Sequence, residues 1–388
     1  MVTAALPKGW IADRYILDSE IGEGGMGKVY RARHASLGKE FALKVIAPAF
    51  AEDTLARARF VKEAHLASQI SHPGIASVVD FGEDAAVGAY MVMELVEGVL
   101  LVDEAAPFAL RRALDVISQI AEVLDHIHAN GIVHGDIKLE NVMLVTETDG
   151  PRRRQVVKLL DFGLAERMGT RPAQLGGTPE YVAPERVEGG PPTEQTDIYA
   201  LGVLAFRLLT GVFPFEGDVE DQLRAHLEIA PPRMSKLRGE ELDEAVETLV
   251  ARALAKRPSE RHASASAFRY ELNAVMDMLA MTRRRTRTGA IRSESRREAM
   301  INVLFEKSPY PQAVVQKTGN IEIANDAFMA LFDVKEGATV GPGLLESVRH
   351  AFAFQESFER RFGKLEVWFS PFVGETVHVL VRQREVGS

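Results

Sequence analysis

The chain has 388 residues, 46% hydrophobic and 26% charged, a balance that excludes disorder along its whole length and favours more than one domain. It contains no cysteine, so disulfides, cysteine-ligated zinc, iron–sulfur clusters and thiolate chemistry are excluded. A net charge of −9 argues against a chain built to coat nucleic acid or an anionic membrane. The N-terminal residues lack a secretory pattern, and no run is long and apolar enough to span a bilayer, so a cytoplasmic protein without a transmembrane segment is expected.

In chain order, Arg14 to Ile21, Lys28 to His34 and Glu40 to Ile46 read as strands, rich in Val, Ile, Tyr and Phe and punctuated by glycine. Glu52 to Ile70 repeats its apolar residues near 3.6 and predicts a helix. Strand signals return at Ile75 to Phe81 and Ala89 to Leu95. From Ala109 the pattern is mostly helical, with helices expected over Ala113 to Asn130, Asp197 to Thr210, Asp243 to Ala255 and Ser264 to Leu279. A sheet-rich lobe precedes a larger helical one. Between Met281 and Arg297, seven arginines stand against one glutamate, which leaves about −15 for the rest of the chain. This stretch reads as a linker or solvated helix, and mixed helix and strand signals follow it.

Gly22-Glu23-Gly24-Gly25-Met26-Gly27-Lys28-Val29 places glycines where backbone amides can approach phosphate without a side chain intervening. It nearly matches the other phosphate loop, GxxxxGK[ST], but Val29 lacks the metal-binding hydroxyl and the next segment reads as strand, not helix. Phe41-Ala42-Leu43-Lys44 ends on a lysine that taken alone is a surface residue, yet Glu63 on the following helix is a suitable acidic partner. Downstream come His134-Gly135-Asp136-Ile137-Lys138-Leu139-Glu140-Asn141, then Asp161-Phe162-Gly163, then Ala183-Pro184-Glu185. Each carboxylate taken singly is a solvated surface group. Five motifs in this order resemble the protein kinase superfamily.

The resemblance implies an α+β, bilobal protein kinase fold over residues 10–279, with a β-rich N-lobe to about residue 97 and a helical C-lobe from about 98. It implies ATP, with Mg²⁺ or Mn²⁺, and protein substrates carrying Ser or Thr. Ile21, Gly22, Gly24, Gly27, Val29, Ala42, Lys44 and Met93 would form the nucleotide pocket, with backbone groups of Glu94 and Val96 holding adenine. Lys44 would pair with Glu63 and hold the α and β phosphates; Asn141 and Asp161 would hold the metals. Asp136 would accept the proton of the attacking hydroxyl, and Lys138 would sit near the γ-phosphate. Thr178 would support Asp136 and Lys138, Asp197 would brace the catalytic loop, and Arg261 would pair with Glu185. The Asp136 to Asn141 loop and Gly177-Thr178-Pro179-Glu180-Tyr181 resemble the Ser/Thr branch, and Gly-Gly-Met-Gly is typical of its bacterial members. The class-different alternative is a signalling scaffold that binds nucleotide without transferring phosphate.

Gly135 departs from the family's His-Arg-Asp. The missing arginine normally binds an activation-loop phosphate, so activity is expected not to depend on that modification, for which Thr170 is the only hydroxyl between Phe162 and Gly176. His126 and His128 lie about 200° apart around a helix and cannot face one metal together; a core or supporting role is expected for them. Residues 280–298 form the arginine-rich linker, where Thr282, Thr286, Thr288, Ser293 and Ser295 are candidate autophosphorylation sites. Residues 299–388 resemble a small α/β PAS domain through Pro309 to Val315, the Lys317 to Asn320 turn, Ile321 to Asn325, the helical Asp326 to Phe332, and closing strands at Leu365 to Phe372 and Thr376 to Arg382. Ligand sensing and formation of a homodimer are the two functions this module suggests, and no nucleic-acid partner is expected.

Overall fold

The computed structural model describes residues 10–24, 27–47, 50, 53–149, 152–162, 165–167, 178–286, 310–335, 337–354, 358–362, 365–371 and 376–383. Two compact units divide the chain at Ile229 and Ala230. Gly163, Thr170 and Gly177, like the linker hydroxyls at Thr288, Ser293 and Ser295, lie outside the described residues.

The first unit opens with β1 (Trp10–Ile11), β2 (Tyr15–Gly24), β3 (Gly27–His34) and β4 (Glu40–Ile46), then α1 (Thr54–Ser68), β5 (Val78–Asp84) and β6 (Gly88–Glu94). The strands form one antiparallel sheet ordered β1-β2-β3-β4-β6-β5. Its period of two sorts side chains onto two faces. Tyr30, Phe41, Leu43, Val45 and Val92 pack on one face. Ala42, Ile46, Met91 and Met93 pack on the other, against Phe60 and Ala64 of α1. Lys44 shares the α1 face with Ala42 and Ile46, and this alternation aims it at the helix. Asp53 starts α1 by accepting from the amides of Leu55 and Ala56 at 2.8 and 3.2 Å, a cap whose removal typically costs about 1 kcal/mol.

The rest of this unit contains β7 (Val99–Leu100), α2 (Leu110–Ala129), β8 (Ile132–Val133), β9 (Val142–Asp149), β10 (Arg152–Leu159), β11 (Glu166–Arg167), α3 (Pro184–Val187), α4 (Glu194–Thr210) and α5 (Val219–Glu228). Helix α4 is apolar nearly all round, from Ile198 to Leu209, and is buried accordingly. Thr193 and Thr196 form a capping box at its start. The β9–β10 hairpin, joined by β7 in a three-stranded sheet, was hidden from periodicity by its polar tip. Predicted strand Ile75 to Phe81 begins later, at Val78; Ile75 instead makes a single parallel bridge to Leu159.

The second unit contains α6 (Met234–Arg238), α7 (Glu244–Ala253) and α8 (Ala265–Thr286), followed by β12 (Gln312–Gln316), β13 (Ile321–Ala324), α9 (Asp326–Phe332), α10 (Pro342–Phe354), β14 (Phe358–Phe362), β15 (Leu365–Pro371) and β16 (Thr376–Gln383). Helix α8 runs on through Thr286, into the arginine-rich stretch. The five strands form an antiparallel sheet ordered β13-β12-β16-β15-β14. Helices α9 and α10 cover one face, with Phe328, Val348 and Ala351 packed against Val315, Val367, Phe369 and Val379. Edge strand β14, Phe-Glu-Arg-Arg-Phe, carries the charges typical of a protected sheet edge and gave no strand signal in the sequence.

Candidate active site

Lys44, on β4 and only 7% exposed, places Nζ 2.7 Å from Glu63 Oε1. The same ammonium reaches Asp161 Oδ1 at 3.1 Å and Oδ2 at 3.3 Å. Burial opposes the charge on Lys44, and the carboxylates of Asp161 and Glu63 more than offset it, raising its pKa. Burial pushes Glu63 up against the pull of Lys44. Burial also resists ionisation of Asp161, but Lys44 holds it below the usual carboxylate range.

A second cluster surrounds Asp136. Its Oδ2 accepts from Asn141 Nδ2 at 2.9 Å and lies 2.7 Å from Lys138 Nζ. Asn141 Nδ2 also bonds the Asp136 carbonyl at 2.8 Å, and Lys138 Nζ donates to Thr178 Oγ1 at 3.0 Å. Leu160, next to Asp161, donates its amide to the Asn141 carbonyl at 3.0 Å, tying the two clusters together.

Asp197, at the start of α4 and 1% exposed, holds this loop from beneath. It accepts the amides of His134 and Gly135 and a bond from His128 Nε2, each at 2.8 Å. Burial resists its charge, but the His128 bond and the other donors lower its pKa. His134 is fully buried against the Phe162 ring, with centroids 5.0 Å apart, and burial lowers its pKa. His128 is the supporting histidine that the helix geometry allowed, but its partner lies 69 residues away, and spacing carries no signal for it. His126 packs instead on the ring of His72.

The loop before β7 joins the small sheet to α2. Met93 is 9% exposed and paired in register with Ala42, and Val29 packs on the same cluster. Ile21 is 46% exposed, Val96 is partly buried, and the Glu94 carboxylate accepts Lys158 Nζ at 2.7 and 2.9 Å. Lys158 was not singled out from the sequence, because nothing local links it to Glu94. Gly22, Gly24 and Gly27 lie on the β2–β3 ribbon. A Cβ at Gly27 would overlap the Val45 carbonyl of β4, whereas one at Gly22 would meet only Val29 at 4.0 Å. Gly27→Val is therefore expected to destabilise the fold by about 1–3 kcal/mol, read as a lowered thermal midpoint.

Residues 15–272 match the model of the protein kinase domain. The chain belongs to the protein kinase family. It is 39% identical over 280 residues to the serine/threonine-protein kinase Pkn3 of Myxococcus xanthus, covering 68% of this chain and 50% of that one. It is 34% identical over 275 residues to PrkC of Bacillus subtilis, with 69% and 41% covered. PknB of Mycobacterium tuberculosis is 34% identical over 274 residues, with 68% and 43% covered. The chain thus spans about half the length of Pkn3 and about two fifths of the other two. Within the family match, Lys44, Glu63 and Asp161 form one cluster and Asp136, Lys138 and Asn141 another, both in the first unit.

Proposed function

We propose that the chain is an ATP-dependent Ser/Thr protein kinase. The convergence of the Lys44–Glu63–Asp161 cluster with the Asp136–Lys138–Asn141 cluster carries this reading. Phosphoryl transfer asks a protein mainly to position reactants and neutralise charge, and these residues do both. Lys44, steadied by Glu63, holds the α and β phosphates. Backbone groups of Glu94 and Val96 hold adenine beneath Ile21, Val29 and Ala42, with Met93 at the back. Gly22, Gly24 and Gly27 form the ribbon over the phosphates. Asp136 orients the substrate hydroxyl and takes its proton as the oxygen bonds to the γ-phosphorus and the bond to ADP breaks. Lys138 meets the charge on the transferred group, and its bond to Thr178 fixes the substrate side of the loop.

Asn141 and Asp161 offer the all-oxygen donors that Mg²⁺ or Mn²⁺ takes; the Asn141 amide nitrogen is engaged by Asp136, which leaves its carbonyl oxygen as the ligand. The cation neutralises phosphate charge when bound. Incorporation of label from Mg-ATP into a generic Ser/Thr protein by the native chain, lost in Asp136→Asn, is the expected result. Equal labelling by both proteins would point instead to a nucleotide-binding scaffold.

Gly135 supports control without activation-loop phosphorylation. Its φ is +76°, a region that costs other residues about 1–2 kcal/mol, and its amide is held by Asp197. Thr170→Ala is expected to keep near-native activity; a folded variant that lost most of it would sink the idea. Gly135→Arg restores an arginine at the cost of that backbone strain, so a stability loss of about 1–2 kcal/mol is expected in urea melts.

Residues 299–388 are proposed to be a PAS-like module. Support comes from the five-stranded antiparallel sheet with α9 and α10 on one face. Among the described residues, no helix is long and apolar enough to cross a membrane.

A further inference from the structure

The sheet of residues 312–383 has two faces, and its own helices cover one. On β12 and β16, Ala313, Val315, Val377, Val379 and Val381 point into the core beneath α9 and α10. The alternate residues Gln312, Val314 and His378 lie on the opposite face. Gln312 and Val314 are nevertheless 2% and 1% exposed, so something other than α9 and α10 covers them.

Elements of the kinase domain in the same compact unit meet this part of the module. Tyr310, two residues before β12, donates its hydroxyl to Ser266 Oγ of α8 at 3.2 Å. Strand β14 runs against the Pro258–Glu260 turn that precedes α8. His378 Nε2 lies 2.9 Å from Gln312 Oε1, within electrostatic reach of Arg252 on α7 and Glu271 on α8. Those two groups are themselves bridged at 3.0 Å, and His262 Nε2 lies 3.3 Å from the same Glu271 oxygen.

We infer that this second face of the C-terminal sheet is a docking surface for α7 and α8 of the same chain, so that the module rides on the end of the kinase domain. The partner it fits is specific. Val314 supplies an apolar contact, Tyr310 a hydrogen bond to α8, and His378 a neutral imidazole facing Gln312, Arg252 and Glu271. Burial and then Arg252 push the His378 pKa down to about 4, against the opposing pull of Glu271. An added positive charge at position 378 therefore meets Arg252 unshielded by water. A homodimer must use another surface, because this face is already filled in cis.

The docking goes beyond kinase activity and does not depend on it, so a chain inactive on Mg-ATP would leave it standing. Because the 388-residue chain has no cysteine, Ser266→Cys with Tyr310→Cys introduces just two thiols into it. This pair removes one hydrogen bond and leaves the rest of the face intact. A short bis-maleimide, applied to an equal mixture of ¹⁴N and ¹⁵N chains, is expected to give cross-linked peptides of a single isotope. Mixed-isotope peptides, or none at all, would overturn the inference. In the same background, His378→Arg is expected to slow cross-linking at least about tenfold, and Arg252→Glu added to it is expected to restore the rate, as charge complementarity requires. Unchanged cross-linking in the His378→Arg chain would overturn the assignment of His378 to the contact.

Discussion

Asp136→Asn is expected to lower kcat by about 10²–10⁴-fold while the KM for ATP stays near its native value. The carboxylate is held at Oδ2 by Asn141 Nδ2 at 2.9 Å and by Lys138 Nζ at 2.7 Å. Asparagine keeps the shape of the side chain and loses the carboxylate proposed to take the hydroxyl proton. Binding of nucleotide is assigned to Lys44 and the loop after β6, neither of which the substitution touches. The loss should therefore fall on the chemical step. Lys44→Met, by contrast, removes the proposed phosphate anchor and leaves Glu63 buried without its 2.7 Å partner, so KM and kcat should change together. Steady-state rates at varied Mg-ATP separate the two patterns. An Asp136→Asn protein with kcat within about threefold of native would remove Asp136 from the role of base.

Asp197→Ala is expected to destabilise the first unit by about 3–5 kcal/mol, a large part of a typical domain's stability. The side chain is 1% exposed and accepts three bonds of 2.8 Å, two from amides and one from a histidine. Alanine leaves those donors buried without an acceptor, at about 1–3 kcal/mol for each unsatisfied group. Asparagine keeps one acceptor oxygen and should cost less. The pH dependence follows from the same contacts. The folded pKa of Asp197 lies below its unfolded value of about 3.8, so its contribution is complete above the unfolded pKa and disappears as pH falls through the folded one. Urea midpoints at pH 7 and below pH 4 should show a steeper acid loss in the native protein than in Asp197→Asn. Parallel losses in the two proteins would rule out Asp197 as the acid-sensitive group.

Much of the candidate active site was legible in the residues alone, because a site proposed to meet phosphate, metal and hydroxyl draws on backbone-rich loops and short spacings. Asp136, Lys138 and Asn141 sit within one loop, and any chain that brings them to one substrate keeps nearly the same separation. The helix over Asp326 to Phe332 and the strands around it were equally readable, since their apolar periods are regular. The β9–β10 hairpin and β14 were not: their polar and charged residues carry no core-facing alternation, and they become strands through their neighbours' hydrogen bonds.

What the amino-acid order determined, then, is membership of a family and the identity of the groups that would carry its chemistry. Which groups meet was decided in three dimensions. Lys44 and Asp161 are 117 residues apart and touch because β4 presents one face to α1, while Leu159, two residues before Asp161, bridges to Ile75 in the segment after α1. His128 finds Asp197 across two helices, and Lys158 finds Glu94 at the end of β6. The second face of the C-terminal sheet reads as an ordinary alternation of polar and apolar residues until Ser266, Arg252 and Glu271 are set against it. Local spacing reports which side chains share a face; only packing reports what that face is buried against, and burial is what converts an ordinary glutamate, histidine or aspartate into a group with a fixed partner and a shifted charge.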